Sequence, residues 1–169
     1  MQGAAVAPTR VLVVCLANQC RSPMAEFLLA LQLEKAGNGI SAEVSSAGIE
    51  ATPGMPATSA SHRAIQRRFG KDFLVGHRAT LLTPGMLADH DITLVMTRGQ
   101  KAFLLDEWSD VVRDLPRRLF TFGEFAGRPA VDVDDPVGGD DARYDECLTL
   151  LQKLSEAAAK RIAARASKA

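Results

Sequence analysis

The sequence predicts an α/β fold: a single three-layer domain with a four-stranded parallel sheet flanked by helices. Three observations predict it. The runs Val11-Leu12-Val13-Val14 and Ile92-Thr93-Leu94-Val95 are aliphatic or β-branched at successive positions, the pattern of strands buried on both faces of a parallel sheet. Segments of strand character alternate with segments of helical character along the chain. The chain closes on a long amphipathic stretch in which Cys147, Leu151, Leu154, Ala158 and Ile162 fall on one stripe.

Taken in order, residues 1–9 are expected to form a flexible N-terminus and 10–169 the folded domain. Residues 10–15 make the first strand. A turn-like segment follows, and Ser22-Pro23 opens a helix, since proline suits a first helical turn. Ala30, Phe27, Leu28 and Leu31 give that helix an apolar face, and Gly37 and Gly39 stop it. A short strand is expected over 42–46, ended by Ala47-Gly48. The loop 49–56 is rich in Pro and Gly. A helix over 57–69, an irregular stretch over 70–83 and a short helix near Pro84 come next. The third strand covers 92–96, a helix covers 99–107, and a fourth strand covers 118–122. A long loop rich in Gly, Pro and Asp spans 123–141 before the last helix, over 142–164. No repeat or low-complexity tract interrupts this order.

Composition narrows the function. The 169 residues suit one domain, and 47% hydrophobic content supplies a core. Lys plus Arg and Asp plus Glu stand at 20 each, so the formal charge is zero, and nothing favours a nucleic-acid or anionic-membrane partner. The apolar run over 11–17 is far too short for a membrane span. As a signal segment it lacks a basic lead beyond Arg10 and a small-residue cleavage site. Leu12-Val13-Val14-Cys15 loosely resembles a lipoprotein site, but Val14 is bulky where a small residue belongs. Three cysteines are too few, and odd in number, for a secreted disulfide framework. The chain reads as cytoplasmic, where cysteine means chemistry, metal binding or plain core.

The chemistry concentrates in Cys15-Leu16-Ala17-Asn18-Gln19-Cys20-Arg21-Ser22. Cys15 ends a predicted strand and Arg21 begins a predicted helix. Ligands of open α/β sheets bind at the C-terminal ends of strands, and a helix N-terminus offers free N–H groups and positive partial charge. Five residues between Cys15 and Arg21 are enough to curl backbone donors around a tetrahedral phosphate. These donors and Arg21 favour the thiolate, the useful nucleophile. Arg21 offers a planar fork to two phosphate oxygens, which lysine cannot reproduce. The pattern of Cys, five residues, then Arg is weak by itself, and Cys15 as a small buried hydrophobe with Arg21 solvated is the plainer alternative. The strand–loop–helix setting favours chemistry.

Residues 11–26 resemble the opening of the low-molecular-weight protein tyrosine phosphatase family, whose pattern is a hydrophobic strand followed by Cys-x-Gly-Asn-x-Cys-Arg-Ser-Pro-x-Ala-Glu. Cys15, Asn18, Cys20, Arg21, Ser22, Pro23, Ala25 and Glu26 match it. Ala17 departs from it, standing where the family has Gly, which raises a question about loop geometry. The resemblance continues through Ser45-Ser46-Ala47-Gly48, residues 91–97 and the Asp-Pro loop, and so covers most of the chain.

The resemblance implies a phosphoprotein phosphatase working through a cysteinyl phosphate. Cys15 would be the nucleophile, Arg21 the anion clamp, and Leu16, Ala17, Asn18, Gln19, Cys20 and Ser22 the rest of the substrate-binding loop. Ser22 would donate to the Cys15 sulfur, and Asn18, Ser46 and His77 would hold the loop's shape. The loop 131–139 offers Asp132, Asp134 and Asp135 as proton donors. Read from the residues alone it is an acidic solvated turn; the family places the acid directly before proline, which selects Asp135 over Asp134. No cofactor and no metal is expected; Cys15 and Cys20 lack a second ligand pair for zinc. The partner is a phosphorylated protein or peptide, and the chain is expected as a monomer or weak dimer.

Two branches of the family compete for the substrate. Tyrosine-directed members commonly have Tyr after Asp-Pro, where this chain has Val137. Gly138-Gly139 looks like the protein arginine phosphatase branch, whose pattern is Asp-Pro-Phe-Gly-Gly. Gln19 matches neither the Thr of the arginine branch nor the Ile of many tyrosine-directed members. Phosphotyrosine is the slightly favoured substrate and phosphoarginine the alternative. An arsenate reductase would need further relay cysteines, yet none lies between Cys20 and Cys147. A phosphate-binding module without catalysis would need neither Cys15 nor Asp135. The family also suggests a reversible Cys15–Cys20 disulfide; Cys147 reads as core, and His62 and His90 as surface residues.

Overall fold

The computed structural model describes residues 7–37 and 40–166. Four strands, β1 (Thr9–Cys15), β2 (Ala42–Gly48), β3 (Ile92–Val95) and β4 (Leu119–Thr121), form one sheet in the order β2-β1-β3-β4. Every pairing is parallel. The helices are α1 (Arg21–Lys35), α2 (Ser59–Phe69), α3 (Pro84–Asp89), α4 (Arg98–Trp108), α5 (Leu115–Arg118), α6 (Phe122–Phe125) and α7 (Asp141–Ala166).

The alternation of side chains along β1 explains the three layers. Val11, Val13 and Cys15 face one apolar cluster with Met24, Leu28 and Leu29 of α1, Ile65 of α2 and Leu148, Leu151 and Leu154 of α7. Leu12 and Val14 face a second cluster with Leu87 of α3, Leu104 of α4 and Leu115 of α5. A strand apolar at successive positions thus has a core on each side, as its sequence requires. Cys147, Leu151, Leu154, Ala158 and Ile162 are all buried on one stripe of α7, which lies along α1.

Several details differ from the sequence-based expectation. β1 begins at Thr9, which pairs with Ala42; residues 1–6 of the expected flexible terminus lie outside the described residues, as does Gly39. β2 continues through Ala47 to Gly48, which pairs with Cys15. The fourth strand is shorter than 118–122: Arg118 ends α5, whose Pro116 suits a first turn, and Phe122 starts α6, where Thr121 and Glu124 form a reciprocal cap. His90 is buried, not exposed, because its ring bridges Met86 O at 2.6 Å and Ser45 Oγ at 2.9 Å. His62 is half-buried, with Nδ1 2.7 Å from Asp72 Oδ2. Among the described residues no helix is long and apolar enough to cross a membrane.

Candidate active site

The site forms where β1 hands over to α1. Backbone bonds pin the connecting loop: Ile49 N–H donates to Cys15 O at 3.0 Å, Glu50 N–H to Leu16 O at 2.8 Å and Thr58 N–H to Gln19 O at 2.9 Å. Asn18 takes the left-handed conformation, φ 55°, which asparagine tolerates better than most residues. Ala17 has no positive φ, so the glycine of the family pattern is not needed here for backbone freedom. Gly48 is needed for space instead. A Cβ there would lie 2.7 Å from both Asn18 N and Leu16 O, so the loop rests directly on the end of β2.

The Cys15 sulfur points into the curl of the loop. It lies 3.3 Å from the Asn18 N–H and 3.0 Å from Ser22 Oγ. The proton directions around it follow from one backbone donor. Thr80 N–H can only donate, and it meets Asn18 Oδ1 at 2.8 Å. Asn18 Nδ2 therefore faces Ser22 Oγ at 2.8 Å and Ser46 Oγ at 2.9 Å, donating to both. Ser22 Oγ, already an acceptor, has its own proton for Cys15 at 3.0 Å or, at 3.4 Å, Ala47 O. The shorter contact aims it at the sulfur. His77 Nε2 stands 2.6 Å from Asn18 O and must be protonated there, since a carbonyl only accepts.

Ser46 in turn donates to Glu26 through a short hydrogen bond. Burial pushes the Glu26 carboxyl above its usual range, while the Ser46 bond and the nearby His77 pull the other way. Glu26 belongs to the matched sequence pattern, but the sequence reading gave it no role. The signal was available: it lies four residues after Ser22 on α1 and so shares its face. Thr80 and the Gly48 approach carried no local signal.

Arg21 is buried at 4% exposure. Its Nη1 donates to Val133 O at 3.0 Å and its Nη2 to Asp135 Oδ2 at 2.9 Å. Nε is buried with no hydrogen-bond partner among the described residues. An orphaned charged donor is costly, and it sits on a helix whose N-terminus has neither a side-chain cap nor an acidic residue in its first turn. The uncapped amides and the unpartnered guanidinium donor together suit an oxyanion.

The aspartate loop divides its three carboxylates. Asp132 binds Arg98, accepting from the α4 backbone N–H at 2.9 Å and from Nε. Asp134 is exposed. Asp135 reaches the site: Oδ2 meets Arg21 and Oδ1 accepts from Val137 N–H at 3.1 Å. Val133 is buried and its N–H donates to Met96 O at 2.8 Å, which anchors the loop to the end of β3.

The remaining sequence candidates are placed as follows. Leu16 is exposed at the rim. Gln19 turns away from the curl and donates to Pro56 O at 3.0 Å. Cys20 is a free buried thiol, 3.4 Å from Thr58 Oγ1 and from the Tyr144 hydroxyl. Burial and the Cys20 contact push the Tyr144 hydroxyl up to about 12. Cys147 is also a free thiol, and burial pushes it up to about 12. Among the described residues no group of three or more His, Cys, Asp or Glu side chains could hold a metal ion.

A thiol met by a loop amide, an arginine in the first turn of a helix and a carboxylate on a facing loop are the parts a cysteine-based phosphatase requires. Comparison with known proteins agrees. The family model for low molecular weight phosphotyrosine protein phosphatase matches residues 10–168. A protein-arginine-phosphatase of Bacillus subtilis is 32% identical, covering 90% of this chain and 95% of its own length. The low molecular weight protein-tyrosine-phosphatase Ptp of Acinetobacter johnsonii is 33% identical, covering 84% and 89%. The crystal structure of a YwlE mutant from Bacillus subtilis superposes with a TM-score of 0.82 at 28% identity, covering 92% of this chain and 99% of that one. The chain belongs to the low molecular weight phosphotyrosine protein phosphatase family, and it is a hydrolase of the cysteine-based type.

Proposed function

We propose that the chain dephosphorylates phosphotyrosine in proteins through a cysteinyl phosphate. The observation that carries the cysteinyl-phosphate chemistry is the directed hydrogen-bond chain ending on the Cys15 sulfur, together with the Arg21–Asp135 ion pair at the start of α1. In the first step the Cys15 thiolate attacks phosphorus and the bond to the leaving oxygen breaks. Asp135 gives that oxygen its proton. In the second step Asp135 takes a proton from water, water attacks phosphorus, and the thiolate departs with the Ser22 hydroxyl hydrogen-bonded to it. Arg21 and the loop amides hold the three equatorial oxygens throughout.

The aliphatic side chains Leu16, Met55 and Val137, all exposed on segments that meet or face the loop, favour an aryl leaving group. A second reading, phosphoarginine hydrolysis, rests on Gly138-Gly139 and on the relatives named protein-arginine-phosphatase. Arsenate reduction is disfavoured because Cys147 is buried with its thiol held protonated. A cytoplasmic setting suits three free thiols, and the partner in this reading is a phosphoprotein.

The test is a side-by-side assay of phosphotyrosine and phosphoarginine peptides, with Cys15→Ser and Asp135→Asn as controls. Cys15→Ser should turn over neither. A kcat/KM at least roughly tenfold higher on phosphotyrosine supports the main reading; the reverse ratio assigns the enzyme to arginine. Gln19→Thr and Gln19→Ile test whether that position sets the ratio.

A further inference from the structure

The turn after Asp135 contains two glycines that are glycine for different reasons. Gly138 has φ 80°, which favours a residue without Cβ. Gly139 has no positive φ, yet a Cβ there would stand 2.3 Å from Arg143 Cδ, 3.0 Å from Arg143 Cβ and 3.0 Å from Pro136 O. What Gly139 provides is room for the stem of Arg143. Arg143 lies on the first turn of α7, where its backbone N–H donates to Asp140 Oδ1 at 3.0 Å. Its side chain runs past Gly139, and Nη2 donates to the main-chain carbonyl of Asp135 at 3.2 Å.

Asp135 is consequently held at three atoms. Oδ2 meets Arg21, Oδ1 meets the Val137 N–H, and the carbonyl meets Arg143. The first two partners lie in the site or in the aspartate's own turn. Arg143 hydrogen-bonds the aspartate's main chain to α7, a 26-residue helix packed along α1. That link adds to the Arg21 contact in fixing the acid relative to α1, the helix that follows the Cys15 loop.

We infer that Arg143 is a positioning residue for the proton donor, and that Gly139 leaves the slot through which it reaches Asp135. The inference rests on the assignment of Asp135 as the acid. An acid displaced by a fraction of an ångström protonates a departing group less well, and the loss grows with that group's basicity. Substrates whose leaving group departs as a stable anion should hardly notice.

The experiment compares kcat/KM for phenyl phosphate, a poor leaving group, with that for 2,4-dinitrophenyl phosphate, a good one. Arg143→Ala should lose about tenfold on the first and less than about twofold on the second, with KM for phenyl phosphate little changed. Gly139→Ala should show the same selective loss, because it displaces the arginine stem. The double variant should be no worse than Arg143→Ala alone, the signature of two residues acting through one contact. Equal losses on both substrates, or additive losses in the double variant, would overturn the inference. Asp135→Asn separates the two levels of the claim. If it discriminates between leaving groups and Arg143→Ala does not, the positioning role fails and the acid stands. If Asp135→Asn does not discriminate, both fall.

Discussion

Two strand-to-helix junctions lie side by side at the same edge of the sheet, and they treat their helix N-termini in opposite ways. At β3–α4 the turn is short and three backbone donors are answered by side chains. Thr97 Oγ1 accepts from Gln100 N–H at 3.1 Å, Gln100 Oε1 accepts from Met96 N–H, and Asp132 accepts from Arg98 N–H. At β1–α1 five residues are interposed, Cys20 offers no side-chain cap, the first turn has no acid, and Arg21 adds positive charge where the helix dipole already supplies it. The β3–α4 junction is built for stability. The β1–α1 junction leaves the Arg21 Nε without a partner among the described residues, in contrast to α2, α3 and α6, each capped by a threonine; of the other helices, the four-residue α5 also lacks a side-chain cap. A helix start without a cap, at the C-terminal edge of a parallel sheet and next to a thiol, is the physical mark of the site.

The comparison can be broken or sharpened by substitution. The largest effect belongs to Arg21→Lys, which keeps the charge but loses the fork. A fall of roughly 10²- to 10³-fold in kcat/KM is expected, with weaker inhibition by inorganic phosphate; a variant that keeps its activity would show the uncapped terminus needs no guanidinium. Gly48→Ala should come next. It drives a Cβ into the backbone of Leu16 and Asn18, and a roughly tenfold or greater loss of activity is expected from the distorted loop, read by kinetics on enzyme shown to be folded by circular dichroism. Thr97→Ala should act on the other junction, costing about 1 kcal/mol in denaturant midpoint measurements and leaving kcat per folded molecule unchanged.

Glu26→Gln gives the smallest change and a definite sign. Folded Glu26 holds its proton more tightly than the usual value of 4.5. Its contribution to stability is therefore full below pH 4.5 and is lost as pH rises through the raised folded value. The glutamine variant lacks this dependence, so it should gain on the parent in urea midpoint as pH climbs from the mid-acid range toward neutrality. A pH-independent difference would show that the carboxyl is not desolvated as the structure has it.

Much of this was readable from the chain. The sheet was legible because Val11–Val14 and Ile92–Val95 are aliphatic or β-branched at successive positions, and the candidate loop because Cys15 and Arg21 bracket a strand–helix boundary. What stayed hidden depends on through-space partners. His90 looks like a surface residue until Ser45 and Met86 close on it. Gly48 looks like a strand terminator until the loop is laid against it. Gln19 left its direction open, and Pro56 decides it. The Arg118–Phe122 stretch misled because four-residue helices flank a three-residue strand, too short for periodicity to separate them.

The central claim is that phosphorus bonds to the Cys15 sulfur during turnover. Rapid acid quench of the enzyme with a fast aryl phosphate, followed by peptide mass spectrometry, tests it most directly. The account predicts one phosphoryl group on the peptide that contains Cys15, appearing within the first turnover and absent from Cys15→Ala. Full activity with no phosphorylated peptide, or with the phosphoryl group on another residue, would contradict it.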